Sequence, residues 1–402
     1  MTKTSGLADN FLIGGYDLSG DVGSLSKVGG GIATLDVTAI NKSAHERIGG
    51  LRDGAMTFSS FFDPAAGQEH PVLSALPTAD VTAAYLRGTA VGAPAACMVA
   101  KQVDYNPTRA QGGSLTVAVD LVPNSFGIEW GNQLTAGLYT ASNSLTGQNA
   151  GFEAGIGNWV ALTNCAVADT AAQARTGVDS MSMTSTAGGD MVAESCVAGS
   201  ILTQGFAVVP GSQVNVQAYL RTAVSARTCS VGVHWFTSGG ASVSTTYGSG
   251  AADSSSAWTI ESGTVTAPAT AAWGCVSVKA AATGAGSEVH YVDDVQVLVL
   301  PSSWDSTASL SFGAQAYLQV TAFTGTDVTI KIQDSADNVT FTDVTSLAFA
   351  QTTAAHTMQR IAIGNTATVR RYIAATLTTA AGFTALSFNV AIHKNEIANE
   401  SF

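Results

Sequence analysis

The chain has 402 residues and a formal charge of −12, with only 11% charged residues against a usual share of about 25%. Its length exceeds the roughly 250–300 residues at which a single core stops growing, which predicts two or three domains. The chain holds no Lys/Arg cluster, which excludes nucleic acid as a tightly held ligand, and no run approaches the 18 or so apolar residues of a membrane span.

The N-terminal MTKTSGLADNFLIGGYDLSG lacks a sustained apolar stretch with a small-residue cleavage site, so a cytoplasmic, soluble product is expected. Leu35, Val37 and Ala39 alternate with polar neighbours, Arg52-Asp53-Gly54 supplies turn chemistry, and Met56, Phe58 and Phe61 follow. This pattern predicts a β-hairpin with a long arm. The intervening Ile40 to Gly50 carries Lys42, His45, Glu46 and Arg47, and reads as a polar excursion. One helix is expected over DPAAGQEHPVLSALP, with Asp63 as N-cap, Pro64 at the first helical position and an end near Pro77. Strands are predicted at 81–86, 96–103 and 115–121.

The stretch from Leu35 to Asp63, with this strand, polar crossover and strand in order, resembles the front half of a bacteriophage (siphovirus) major tail tube subunit. That resemblance implies a β-sandwich or barrel with one flanking helix over residues 1–145. It also implies stacked, hexameric rings through which DNA passes as cargo, sealed in part by Ile40, Lys42, His45, Glu46 and Arg47. The partners would then be further copies and other tail proteins, and the location the virion tail.

A middle region begins with NAGFEAGIGNW at Asn149 and closes with HYVDDVQVLVL near Pro301. The order and wording of its segments resemble jelly-roll carbohydrate-binding modules, inserted over residues 146–301. The resemblance implies a structural calcium held by Glu153, Asp293 and Asp294 as oxygen ligands. Strand alternation places Asp293 inward with Tyr291, Val295 and Val297, and Asp294 outward unless the strand is bulged. The resemblance also makes Tyr219, Arg221, Trp235, Tyr247 and Trp273 candidates for glycan contact, with Trp159 and Trp258 as buried anchors. Host surface glycans are the partner implied, bound weakly and many times over.

From Ser302, the runs SFGAQAYLQVTAF, DVTIKIQDS, VRRYIAATL and FTALSFNVAIH alternate clearly and predict a helix-free C-terminal β-sandwich over 302–402. It looks like the C-terminal portion of some tail proteins of phages infecting actinobacteria. The fold expected is therefore mainly β, in three units. Their basic and acidic residues number 8 and 12, 4 and 10, and 5 and 7, giving nets of −4, −6 and −2. The insert is the most acidic part.

Of the five cysteines none has metal-site spacing, and free thiols are the default for a cytoplasmic product. Cys229 with Cys275, each heading a strand-like run, is the pair favoured should oxidation follow release from the cell. There is no HExxH, GxSxG or P-loop, and the six histidines stand singly. Adjacent Asp293 and Asp294 are poorly placed for glycosidase chemistry, so no enzyme is expected. Two other readings stay open: a secreted or cell-surface carbohydrate-binding protein, and a tube protein whose insert is purely structural.

Overall fold

A computed structural model describes residues 5–145, 150–284, 286–379 and 383–397. The expected boundary at 146, and Asn149, lie outside the described residues. The protein is mainly β, built from several packed sheets.

A twelve-stranded sheet runs through both ends of the chain. Its longest member, Pro94–Arg109, pairs through its first half with Val81–Leu86 and Glu129–Gln133, and through its second half with Leu115–Pro123. A register shift between Gln102 and Asp104 separates the two halves. Bulges bend and twist a strand, and here the bend folds the N-terminal sheet over a core of Phe11, Ile13, Leu18, Met56, Phe58, Met98, Val117 and Val119.

The expected hairpin is differently paired. Ala55–Phe61 lies between Val22–Gly29 and Leu115–Pro123, not against Leu35 to Ala39. Instead Ile32–Asp36 pairs with Arg47–Arg52 as a two-stranded sheet of its own, so the second half of the polar excursion is a strand. At the base of this arm, a Cβ on Gly30 would stand 1.8 Å from the Asp53 carbonyl oxygen. Only glycine lets the two chains cross there.

The helix is shorter than predicted, spanning Glu69–Leu73 with Gln68 at its N-cap. Asp63 instead caps a turn, its Oδ1 accepting the Ala65 amide at 2.8 Å. Gly67 at φ +81° interrupts the segment before a helix can propagate, and Pro71 withholds an amide inside it. A second short helix, Ile201–Gln204, had no sequence signal strong enough to predict it.

The middle region is a β-sandwich. One sheet has five strands in the order Cys165–Thr170, Ser180–Ser185, Val289–Ser302, Ser212–Thr222, Thr259–Thr266. The other has seven, with Gly189–Glu194, Trp273–Thr283, Thr228–Phe236 and Ser242–Tyr247 adjacent in that order. Between them pack Phe152, Trp159, Met181, Met183, Val216, Val231, Val233, Trp235 and Val278.

Residues 302–379 and 383–397 also form a β-sandwich, and one of its sheets continues the N-terminal one. Ala385–Lys394 lies between Glu129–Gln133 and Ala314–Thr324 in the twelve-stranded sheet. It faces the four-stranded sheet of Trp304–Asp305, Tyr372–Thr379, Val328–Ser335 and Thr342–Ala348 across Leu318, Val320, Ile330, Ile332, Leu377, Phe388 and Val390.

The insert is clamped where it leaves and re-enters this frame. Asn143 accepts the Val297 amide at 3.0 Å and donates to the Val295 carbonyl at 3.1 Å. The exit strand Val289–Ser302 gives Val292, Val295 and Val297 to the insert core, then Leu298 and Leu300 to the C-terminal core.

A buried ion pair joins the two chain ends. Arg360 contacts both Glu129 oxygens, at 2.6 and 3.1 Å, and the Tyr317 hydroxyl donates to Glu129 at 2.5 Å. The Arg360 and Glu129 side chains are only 8% and 4% exposed. Removing one partner strands a buried charge, which costs about 3–5 kcal/mol. Arg360→Ala is therefore expected to lower the unfolding free energy by about that amount in urea titrations, while a truncation at half-buried Lys331, whose partner Asp343 is solvent-facing, should cost only about 0–1 kcal/mol.

Candidate functional site

Two surfaces carry the residues that the sequence singled out. The first is the arm Ile32–Asp36 and Arg47–Arg52, whose tip holds Ile40, Lys42, His45, Glu46 and Arg47 together. Lys42 pairs with Glu46 at 2.9 Å, one helical turn's spacing apart in sequence, and His45 Nδ1 lies 2.7 Å from Asp36 Oδ2. The Asp36 carboxyl is held below its ordinary range, chiefly by the Thr38 hydroxyl and amide. These internal contacts stiffen the tip, yet its apolar residues are uncovered. Ile40 is fully exposed, and Leu51, Ile32, Leu35, Ile48 and Val37 each stand between 86% and 49% exposed. A two-stranded hairpin is marginal in water without further packing.

The second surface is the outer face of the seven-stranded sheet of the insert. Strand alternation turns Val231, Val233 and Trp235 into the core and His234 and Phe236 outward. Trp235 is therefore a core residue, 0% exposed, with its Nε1 donating to Thr246 Oγ1 at 3.0 Å. It cannot contact a glycan. Tyr247 and Trp273 are on the outer face, both half-buried. The Tyr247 hydroxyl meets Ser277 Oγ at 2.8 Å, and Lys279 sits 4.6 Å from its ring centroid. Nearby, His234 bridges Glu194 and Ser242, each at 2.7 Å. Trp273 packs on Phe236, Ile201 and the disulfide between Cys196 and Cys275.

Tyr219 and Arg221 are on the opposite sheet. Arg175 lies over the Tyr219 ring, 3.4 Å from its centroid, and Arg221 donates to the Ser255 carbonyl at 2.9 Å. The five glycan candidates thus divide into two outward pairs on opposite faces and one core residue. Trp159 is buried as expected, whereas Trp258 is half-exposed.

The pairing Cys229 with Cys275 is corrected. Cys275 is opposite His234 in the ladder and Cys229 opposite Ala280, a five-residue offset of about 17 Å along the strands. Cys229 also faces the core while Cys275 faces outward, so Cys275 bonds instead with Cys196, at 5.9 Å between Cα atoms. Burial raises the Cys229 thiol well above its ordinary value.

The inferred calcium ligands meet the loop 175–179. Asp294 has φ +47° and marks a bulge, so the inward residues are Val292, Val295 and Val297, and Asp293 is not among them. Asp293 opposes Tyr219 on the outer face and is covered by the loop, its Oδ2 accepting the Arg175 and Thr176 amides at 2.8 and 3.3 Å. Arg175 also ion-pairs with Asp294, and Glu153 accepts the Val178 and Asp179 amides at 3.0 and 3.3 Å. A hard cation needs oxygens aimed at one point. These carboxylates face N–H donors and a guanidinium, so the set does not fit calcium in this arrangement.

No protein-family model and no curated protein matches the chain. Among solved structures it is similar to the CBM22-1 xylan-binding domain from Paenibacillus barcinonensis Xyn10C, at 13% identity and a TM-score of 0.28 over 43% of this chain and 97% of that one. It is also similar to the C-terminal family 22 carbohydrate binding module of Clostridium thermocellum Xyn10B, at 16% identity and a TM-score of 0.30 over 41% and 95%. A family 16 carbohydrate binding module gives 15%, 0.28, 37% and 96% for the same quantities.

Burial pushes the Asp293 carboxyl up to about 6 from the ordinary 3.8. A carboxyl raised on folding contributes stability that is complete below the unfolded pKa and is lost as pH rises through the folded one. Wild type is therefore expected to lose stability relative to Asp293→Asn between about pH 4 and 6, read from urea midpoints at each pH. Trp235→Ala should cost about 3–5 kcal/mol in the same titrations, and Tyr247→Ala much less.

Proposed function

We propose that this chain is a self-assembling structural protein of a phage tail tube, in which the arm formed by Ile32–Asp36 and Arg47–Arg52 seats on a neighbouring copy. The uncovered apolar surface of that arm carries the reading. Such a hairpin gains the packing it lacks from a second copy, and a repeating head-to-tail contact of this kind builds rings or filaments. The sequence resemblance to tail tube subunits and the low share of charged residues agree with a conduit that lets DNA pass without holding it, while half of the net charge of −12 falls on the insert, which leaves the tube region only mildly acidic at −4. The insert then stands as an outward module, and Tyr247 and Trp273 with His234, Glu194 and Lys279 form its face for weak, repeated contact with surface glycans.

One observation favours a second reading, an extracellular carbohydrate-binding protein. The Cys196–Cys275 disulfide belongs to an oxidising environment. A virion released from its host meets the same condition, so the bond does not by itself choose between them.

The test of assembly is replacement of residues 37–46 by a short Gly-Ser turn. Wild type is expected to form rings or tubes in negative-stain micrographs, and the variant to sediment as a folded monomer with an unchanged circular dichroism spectrum. Persistently monomeric wild type would sink the tube reading. For the glycan face, Tyr247→Ala in the full chain should lower glycan-array signal at least tenfold, because the weakening of each site is multiplied across the repeated contacts. Wild-type signal indistinguishable from background would leave the insert structural.

A further inference from the structure

The insert encloses a polar cluster that neither surface uses. Cys229 comes from the seven-stranded sheet, His290 from the five-stranded sheet, and Asp253 from the loop after Ala251–Ala252. One ligand-type atom of each, the Cys229 sulfur, an Asp253 oxygen and a His290 ring nitrogen, lies within 4.8 Å of the other two. All three side chains are at most 3% exposed. Among the described residues this is the one such group.

Three buried polar side chains are explained by hydrogen bonding alone only if every atom near them is satisfied, and one is not. Glu261, 1% exposed, accepts the Ala251 amide at 3.0 Å through Oε2, while its Oε1 has no partner among the described residues.

The surrounding groups are arranged as the outer shell of a metal site. His290 Nδ1 is 2.6 Å from Asp253 Oδ2, while Nε2 faces Glu288 Oε1 at 3.2 Å. Arg227 fixes Glu288 through both its oxygens, at 2.6 and 2.9 Å, and its backbone amide holds Asp253 Oδ1 at 2.8 Å. A carboxylate behind a ligating imidazole sets its tautomer and orientation.

We propose that Cys229, Asp253 and His290 Nδ1 bind a zinc ion between the two sheets as its protein donors. Tetrahedral bonds of about 2.0–2.3 Å set ligand atoms about 3.3–3.8 Å apart, within reach of the observed cluster after the imidazole and Asp253 separate slightly. Thiolate with imidazole selects zinc over calcium or magnesium. Binding forms the zinc–sulfur bond and releases the thiol proton. Because the site is closed, the ion is enclosed as the sandwich folds and exchanges slowly afterwards.

The full chain, produced in zinc-supplemented medium and passed over a chelating resin, should retain about one zinc per chain by plasma mass spectrometry. Protein produced with cobalt should show the near-ultraviolet absorption of a cobalt–thiolate bond. Cys229→Ser should lose that band, and His290→Gln should lower retained metal at least tenfold. Metal-free wild type, a cobalt spectrum without the thiolate band, or undiminished metal in both variants would each overturn the proposal. The wild-type measurements decide the matter even if a variant fails to fold.

Discussion

The pairing of Ala385–Lys394 between Glu129–Gln133 and Ala314–Thr324 is the constraint on which the rest of the architecture hangs. It converts two separate sequence regions into one sheet and leaves the insert entering and leaving beside it. Side chains reinforce the join. Gln319 accepts the Gly15 amide at 2.7 Å and donates to the Thr82 carbonyl at 2.9 Å, while Tyr16 stacks on His356 at 3.7 Å between ring centroids. Gly15 is required there, because a Cβ would meet the His356 backbone at 2.6 Å. Buried and well hydrogen-bonded, the Glu129–Arg360 pair acts in the same place, where low dielectric strengthens its attraction and makes its disruption expensive.

Alternation made the strands legible but not their partners. Ile330, Ile332 and Val328 face a core as their spacing predicts, and the C-terminal strands exist where they were expected. Which strand lies beside Ala55–Phe61 is a long-range choice that period-two patterning does not encode. The same limit hid the continuity of the first and third regions. The inward position of Trp235 was legible, since Val231, Val233 and Trp235 share one face. The Asp294 bulge was not, because one extra residue swaps the two faces on one side of it, so Val295 and Val297 point inward as alternation predicts while Tyr291 and Asp293 do not. The helix was overextended because a favourable Asp-Pro start was weighed above Gly67 and Pro71 in its body.

At the candidate sites, the arm residues named from the sequence lie together because they are neighbours in the chain. The glycan candidates were scattered by the fold, since aromatic residues serve cores more often than ligands. Cys229, Asp253 and His290 went unnoticed because they are dispersed in the chain and share no spacing motif; only the closure of two sheets brings them together. The disulfide was misassigned for a related reason. Cys196 lies outside the strands, and its reach to Cys275 depends on a surface turn around Ile201–Gln204.

The continuous sheet also imposes an order on biosynthesis. Strands near Asn10 and Val81 leave the ribosome early, but the edge presented by Glu129–Gln133 stays unpaired until Lys394 has been made. An open edge is a hazard for unwanted pairing, and contacts so distant in sequence form slowly. Placing the closing strand late keeps that edge open until nearly all of the strands have been made, so each chain carries an unpaired edge through most of its synthesis.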